Sequence, residues 1–260
     1  MKKLLIVCAA LLAASGCLNA QGKDWDFTVS PQLITETDES PTVLGLHYDF
    51  AYEPLRWMFD EEALSTAHIK VRSSGTIVPE GKPNPLNLIE SRAEGYLQWF
   101  PSENFILRGG VQASMESNQR FTRKQFLYAG KLGCVYAIGD RGSSFGVNAV
   151  FGNVHPVADP LRKEALAGAA PGDYQRVDVE LFVQWIMDTE LIKKVEFLGR
   201  YYYETAPSDA VRDADLDRFS MHTLRIHLPN NLYLTYADGR FPFDLTVDQV
   251  LLLGLSVLVN

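Results

Sequence analysis

Val177, Val179, Leu181, Val183, Trp185 and Met187 alternate with Arg176, Asp178, Glu180, Gln184 and Asp188. Apolar and polar side chains that change places at every residue mark a β-strand with two unlike faces, because successive Cβ atoms point to opposite sides. The pattern recurs along the chain. Leu44, Leu46, Tyr48, Phe50 and Tyr52 oppose Gly45, His47, Asp49 and Ala51, and Val195, Phe197, Gly199, Tyr201 and Tyr203 oppose Lys194, Glu196, Arg200 and Glu204. About twelve segments read this way: 25–35, 42–53, 66–78, 88–100, 104–116, 125–138, 144–154, 174–188, 194–205, 218–228, 232–238 and 245–259. Many are longer than the common globular strand of about 5–6 residues. They suit a strand crossing a bilayer at a tilt, which needs about 9–11. Only 63–67 and 161–167 offer a turn or two of helix.

Composition removes several other classes. The 260 residues include 24 Lys+Arg and 32 Asp+Glu, for a net charge of −8. That leaves no basic excess to neutralise phosphates, which argues against nucleic acid as a partner. A hydrophobic share of 47% excludes a disordered chain. No apolar run approaches the roughly 20 residues of a transmembrane helix. The first residues have a different logic. Lys2 and Lys3, the apolar run Leu4 to Ala14 and the small residues ending at Ala20 have the order of a secretory signal peptide spanning 1–20. Cys17 after Ala14-Ser15-Gly16 offers lipoprotein processing as a second route. Cleavage after Ala20 leaves 22 basic against 32 acidic residues, hence −10, with Cys134 as the one remaining cysteine. A single cysteine can form neither an internal disulfide nor a Cys-x-x-Cys redox pair.

Connection lengths then separate two ends. One set of links is short: 101–103, 139–143, 189–193 and 229–231, with 54–65 as a longer exception. The opposite set, 36–41, 79–87, 117–124, 155–173, 206–217 and 239–244, is mostly longer and more polar. Period-two strands with short turns at one end and longer loops at the other have the asymmetry of a membrane barrel. Large aromatics stand near the ends of the apolar faces, at Trp25, Tyr52, Trp99, Tyr136, Tyr201 and Tyr203, as an interfacial girdle requires. A soluble barrel of twelve strands would have to fill a wide interior with apolar side chains.

On these features residues 21–260 resemble bacterial outer-membrane β-barrel proteins in general. The resemblance implies an all-β fold: a single closed antiparallel transmembrane β-barrel of about twelve strands, up-and-down in topology. It also implies a Gram-negative-type outer membrane as location, outer-membrane lipids as surroundings and the barrel-assembly machinery as partner during insertion. One feature departs from the pattern: such chains commonly end in an aromatic, and this one ends Leu258-Val259-Asn260.

Inside such a barrel the polar faces line the lumen. The expected lumen cations are Arg72, Arg92, Arg108, Lys131, Arg176 and Arg200, with His47 beside them. The expected lumen carboxylates are Asp49, Glu90, Glu94, Glu116, Asp178, Glu180, Glu196 and Glu204. Facing open water, such a ladder would set the selectivity of a small porin-like channel. Interlocked, it would plug the lumen and leave a structural barrel that displays its loops. His47, Asp49 and His68 are the one set within reach of a metal by sequence, against the plainer reading of solvated lumen side chains. Phosphate loops and nucleotide motifs are missing from the sequence, and the reading requires no cofactor and no metal. Oligomeric state is left open.

A third reading concerns the opposite face. Ser220 and His222 share the side of Leu224, Ile226 and Leu228, and the turn at 229–231 sets His222 opposite Asp238. Serine, histidine and a carboxylate are the groups of nucleophilic hydrolysis. The placement resembles outer-membrane phospholipases, which carry serine and histidine two apart on a lipid-facing strand. Their order is His-x-Ser with a supporting Asn, whereas this chain reads Ser220-Met221-His222. Polar residues at a strand end among lipid headgroups are the alternative, and Asp238-Gly239 is itself a turn signal.

Overall fold

The computed structural model describes residues 25–36, 42–58, 65–80, 86–139, 141–187, 189–243 and 248–259. The expected signal peptide and the terminal Asn260 lie outside the described residues. The strands are β1 (Trp25–Glu36), β2 (Val43–Met58), β3 (Ser65–Ile77), β4 (Ile89–Ser102), β5 (Phe105–Ser117) and β6 (Lys124–Ile138). They continue as β7 (Ser143–Ala158), β8 (Tyr174–Ile186), β9 (Lys194–Glu204), β10 (Arg218–His227), β11 (Leu232–Gly239), β12 (Asp248–Leu255) and β13 (Val257–Val259). From β1 to β12 each strand pairs antiparallel with the next, and both β12 and β13 pair with β1, which closes the ring. β13 continues β12 past Ser256, whose N–H turns to the Asn231 carbonyl at 2.9 Å. The wall is therefore the expected twelve strands, with the last one broken once.

Two local expectations need correction. β2 runs to Met58 instead of ending near 53, so Trp57 pairs with Ala67 in the wall and is not in a link. A bulge between Tyr52 and Leu55 shifts the alternation by one residue. Outward positions are even before the bulge and odd after it, which hides the strand from a period-two reading. Residues 65–67 consequently open β3 and form no helical turn. In the longest loop, α1 (Pro160–Ala165) forms where 161–167 suggested it, capped by Asp159, which accepts from the Arg162 N–H at 3.0 Å. A second short helix, α2 (Asp209–Asp213), was not expected. Gly110 has a packing role: a Cβ there would sit 2.7 Å from the Cα of Tyr96, its partner on β4.

Burial decides which face meets which solvent. Leu132 and Val111 are 69% and 66% exposed, while Glu116 and Arg176 are 2% and 3% exposed. A soluble fold does the reverse. The outward apolar surface passes around the wall through Leu44, Phe151, Leu181, Leu224 and Leu253, far beyond the patch a water-soluble monomer leaves bare. All four tryptophans, at 25, 57, 99 and 185, stand near strand ends on the short-turn side. Tyr128, Tyr201, Tyr203 and Tyr236 are exposed nearer the long-loop side. Two aromatic levels around an apolar belt match the two interfaces of a bilayer.

The loop end is closed from within. Ile34, Val43, Val78, Met221, Ala237, Val250 and Leu252 form a buried cluster, with Leu86 and Phe241 packed against it. Phe243 is also buried, and its carbonyl accepts from the Arg123 guanidinium on a loop across the ring. Gln119, on the same loop as Arg123, ties in the β3–β4 loop: its Oε1 accepts from the Val78 N–H at 3.0 Å and its N–H donates to Asn87 Oδ1 at 2.9 Å. The lumen is thus not polar throughout, as the alternation suggested, but apolar beneath these loops.

Candidate functional site

Among the described residues the lumen gathers a network of charged side chains, and they interlock. On the loop side, Arg176 of β8 grips Glu116 of β5 with two hydrogen bonds of 2.9 and 2.6 Å and also donates to Asp178 at 2.7 Å. Gln125 of β6 donates to Glu116 at 2.6 Å and accepts from the Tyr174 hydroxyl at 3.1 Å. Arg162 of α1 lies over the Tyr174 ring and donates to Glu204 at 2.9 Å. Charged donors and acceptors satisfied this way tolerate burial that either would not survive alone.

The ring is also bridged from one wall to the other. Arg200 of β9 donates to Glu180 at 3.0 Å and to Glu90 of β4 at 3.4 Å. Arg92 holds the same Glu90, its Nε at 3.1 Å. β4 and β9 are five neighbours apart in the sheet order, so this contact spans the lumen and divides it. The β4–β9 half is filled: Lys131 reaches Glu94 at 2.6 Å, Asn148 reaches Glu180 at 3.2 Å, and a gap of only about 30 Å³ remains among them.

The other half holds a cavity of about 540 Å³, extending from Leu86 and Phe241 under the plug to Thr28, His227 and Ser256 at the turn end. Its walls carry Arg72 bonded twice to Asp49, at 3.1 and 2.5 Å, and His47 bonded to Thr76 at 3.0 Å. Glu196 binds Lys194 at 2.7 Å and His227 at 2.5 Å. A row of three residues crosses the closing strands. Tyr233 pairs with Gly254, and Gly254 pairs with Gln32. The Gln32 amide donates to the Tyr233 hydroxyl at 2.7 Å, passing over the glycine. A Cβ on Gly254 would collide with the Tyr233 ring and hydroxyl. Gly254→Ala is therefore expected to push Tyr233 off Gln32 and lower stability by about 1–3 kcal/mol. Urea unfolding of refolded protein in detergent measures this, and an unchanged midpoint would show that the row accepts a methyl group.

All fifteen residues expected in the lumen thus take defined partners, Arg108 included, whose Nε donates to Gln98 at 3.1 Å. The metal suggestion does not survive. His68 is bound to Glu53 at 2.6 Å and Thr66 at 2.7 Å, and it pairs in register with Arg56, far along β2 from His47. Among the described residues no group of three or more His, Cys, Asp or Glu side chains is placed to hold a metal ion.

On the outer face His222 pairs with Asp238 in the register the turn dictates. The histidine ring packs instead between Tyr201 at 5.3 Å and Phe197 at 6.3 Å. No hydrogen bond joins Ser220, His222 and Asp238 among the described residues, so the base is neither set on the serine nor oriented by the acid. Lumen residues missed by the sequence reading are Gln32, Arg162, Arg225, His227 and Tyr233. Parity could have supplied Arg225, which alternates with Leu224 and Ile226.

No family model matches the chain, and no curated protein matches it. Among solved structures the chain is similar to bacterial outer-membrane barrels. A KdgM porin matches at a TM-score of 0.41 and 8% identity over 88% of this chain and 97% of that one. The outer-membrane protein OmpT of Vibrio cholerae matches at 0.45 and 9% over 90% and 98%. The translocator domain of the autotransporter NalP from Neisseria meningitidis matches at 0.33 and 8% over 98% and 95%.

Proposed function

We propose that the protein is an outer-membrane barrel of a Gram-negative-type bacterium that serves as a narrow porin-like passage for small polar solutes. The polar cavity of about 540 Å³ carries this reading, because it follows the lumen from the loop-end plug to the turn end on one side of the bridging ion pairs. The exposed apolar belt and its aromatic edges support the membrane location. The short turns then face the periplasm, the side from which barrel-assembly machinery inserts the chain. The filled β4–β9 half restricts the passage to a fraction of the cross-section, so flux is limited to ions and small molecules.

A second reading rests on a different observation. Arg162 of α1 is anchored to Glu204 and Tyr174 at the rim, a way to hold a long loop rigid. In this reading the barrel is a scaffold for loops and conducts nothing. Planar-bilayer recording of refolded protein separates the two. Small, discrete openings are expected for a passage. If neither the wild type nor a variant lacking the plug aromatics shows any opening, the passage reading fails and the scaffold stands.

A further inference from the structure

Among the described residues, ion pairing in the polar cavity leaves Arg225 over. Asp49 is taken by Arg72, Glu90 by Arg92 and Arg200, and Glu196 by Lys194 and His227. Arg225 stands opposite Glu196 in the β9–β10 register, yet no carboxylate among the described residues pairs with it. Its Nε donates to Thr235 at 3.1 Å, and its guanidinium lies 4.7 Å from the centre of the Tyr233 ring. The two terminal nitrogens have no acceptor among the described residues.

An acceptor in the same corner is also left over. Gln32 is 2% exposed and lines the cavity; its amide nitrogen is spent on the Tyr233 hydroxyl, and its Oε1 accepts no hydrogen bond. A buried acceptor without a partner pays for desolvation with nothing in return, and the half-buried Arg225 guanidinium keeps its terminal donors facing the same cavity. Both are fastened to one side chain: Gln32 to the hydroxyl of Tyr233, Arg225 to its ring.

We propose that this corner is a binding site for a small oxyanion that keeps one O–H group. The anionic oxygens accept from the Arg225 terminal nitrogens, a charge-assisted geometry that the planar fork favours. The ligand's hydroxyl donates to Gln32 Oε1. The inference deepens the passage reading, because it uses the same cavity, but binding does not depend on conduction.

Calorimetric titration of the refolded barrel with inorganic phosphate, and separately with sulfate, tests the site. Near neutral pH phosphate offers both acceptor oxygens and an O–H, whereas sulfate offers oxygens alone. Saturable phosphate binding is expected, with sulfate weaker by roughly severalfold. Arg225→Gln is expected to weaken phosphate by about tenfold or more, with Arg225→Lys in between. Arg212→Gln, on the exposed helix α2, should bind as wild type does. Gel migration before and after boiling establishes that each variant has folded. No saturable phosphate binding, or equal binding by Arg225→Gln, overturns the site. Equal affinity for phosphate and sulfate overturns the part given to Gln32. Missing channel openings count against the passage alone, and missing phosphate binding counts against this site alone.

Discussion

Arg176→Met is expected to lower the stability of the folded barrel by about 3–5 kcal/mol. The loss comes less from the missing ion pair than from what stays behind. Glu116 and Asp178 would share a water-poor region with no cation, and Gln125 alone would remain on Glu116. Taking two charges out of water is costly, and removing one partner strands the other. The triple variant Arg176→Met, Glu116→Gln, Asp178→Asn is expected to recover part of the loss, because it removes the stranded charges with the cation. Urea unfolding midpoints in detergent micelles read both effects. An Arg176→Met midpoint equal to wild type would mean that water reaches this network freely, contrary to its burial.

The second large effect concerns the plug. Phe241→Ala together with Phe243→Ala is expected to raise single-channel conductance roughly severalfold. Phe241 packs on the apolar cluster that closes the polar half of the lumen, and Phe243 is fixed there by Arg123. An apolar constriction excludes water as well as ions, so removing two rings changes flux more than their volume suggests. Arg123→Ala, which frees the Phe243 carbonyl without removing a ring, is expected to act in the same direction and more weakly. Conductance unchanged in the double variant would place the narrowest point elsewhere, at the Arg200–Glu90 bridge.

Much of this architecture was legible in the sequence because a barrel wall repeats one rule. Each inward residue is two positions from the next, so twelve strands and their turns could be read before any contact was known. The rule failed where its phase changed. Leu55 and Trp57 face outward on odd positions after a bulge, while Tyr52 faces outward on an even one, and the segment looked like a link. It failed again where both faces are apolar. The outward face of 245–259 was read correctly, but Val250 and Leu252 point inward between Leu251 and Leu253, where a polar face was expected, and the plug they support went unseen. Pairs two residues apart on one strand, Arg92 with Glu90 and Arg176 with Asp178, follow from the alternation, but the partners met across the lumen were out of reach for another reason. Arg200 meets Glu90 from a strand five neighbours away, and no local pattern encodes a contact made across a lumen. That is why Arg225 could be placed by parity while its lack of a carboxylate could not.

The hydrogen bond from Gln32 to Tyr233 has a consequence for how the ring is completed. It links the first strand to the eleventh over the twelfth, so it cannot exist until the two ends of the chain have met. It behaves as a latch on the seam, available only once the ring is closed. A ligand held between Gln32 and Arg225 would bind only the latched ring, and by mass action it would draw late assembly intermediates toward closure. A solute in transit would then also act as a clasp on the barrel it passes through.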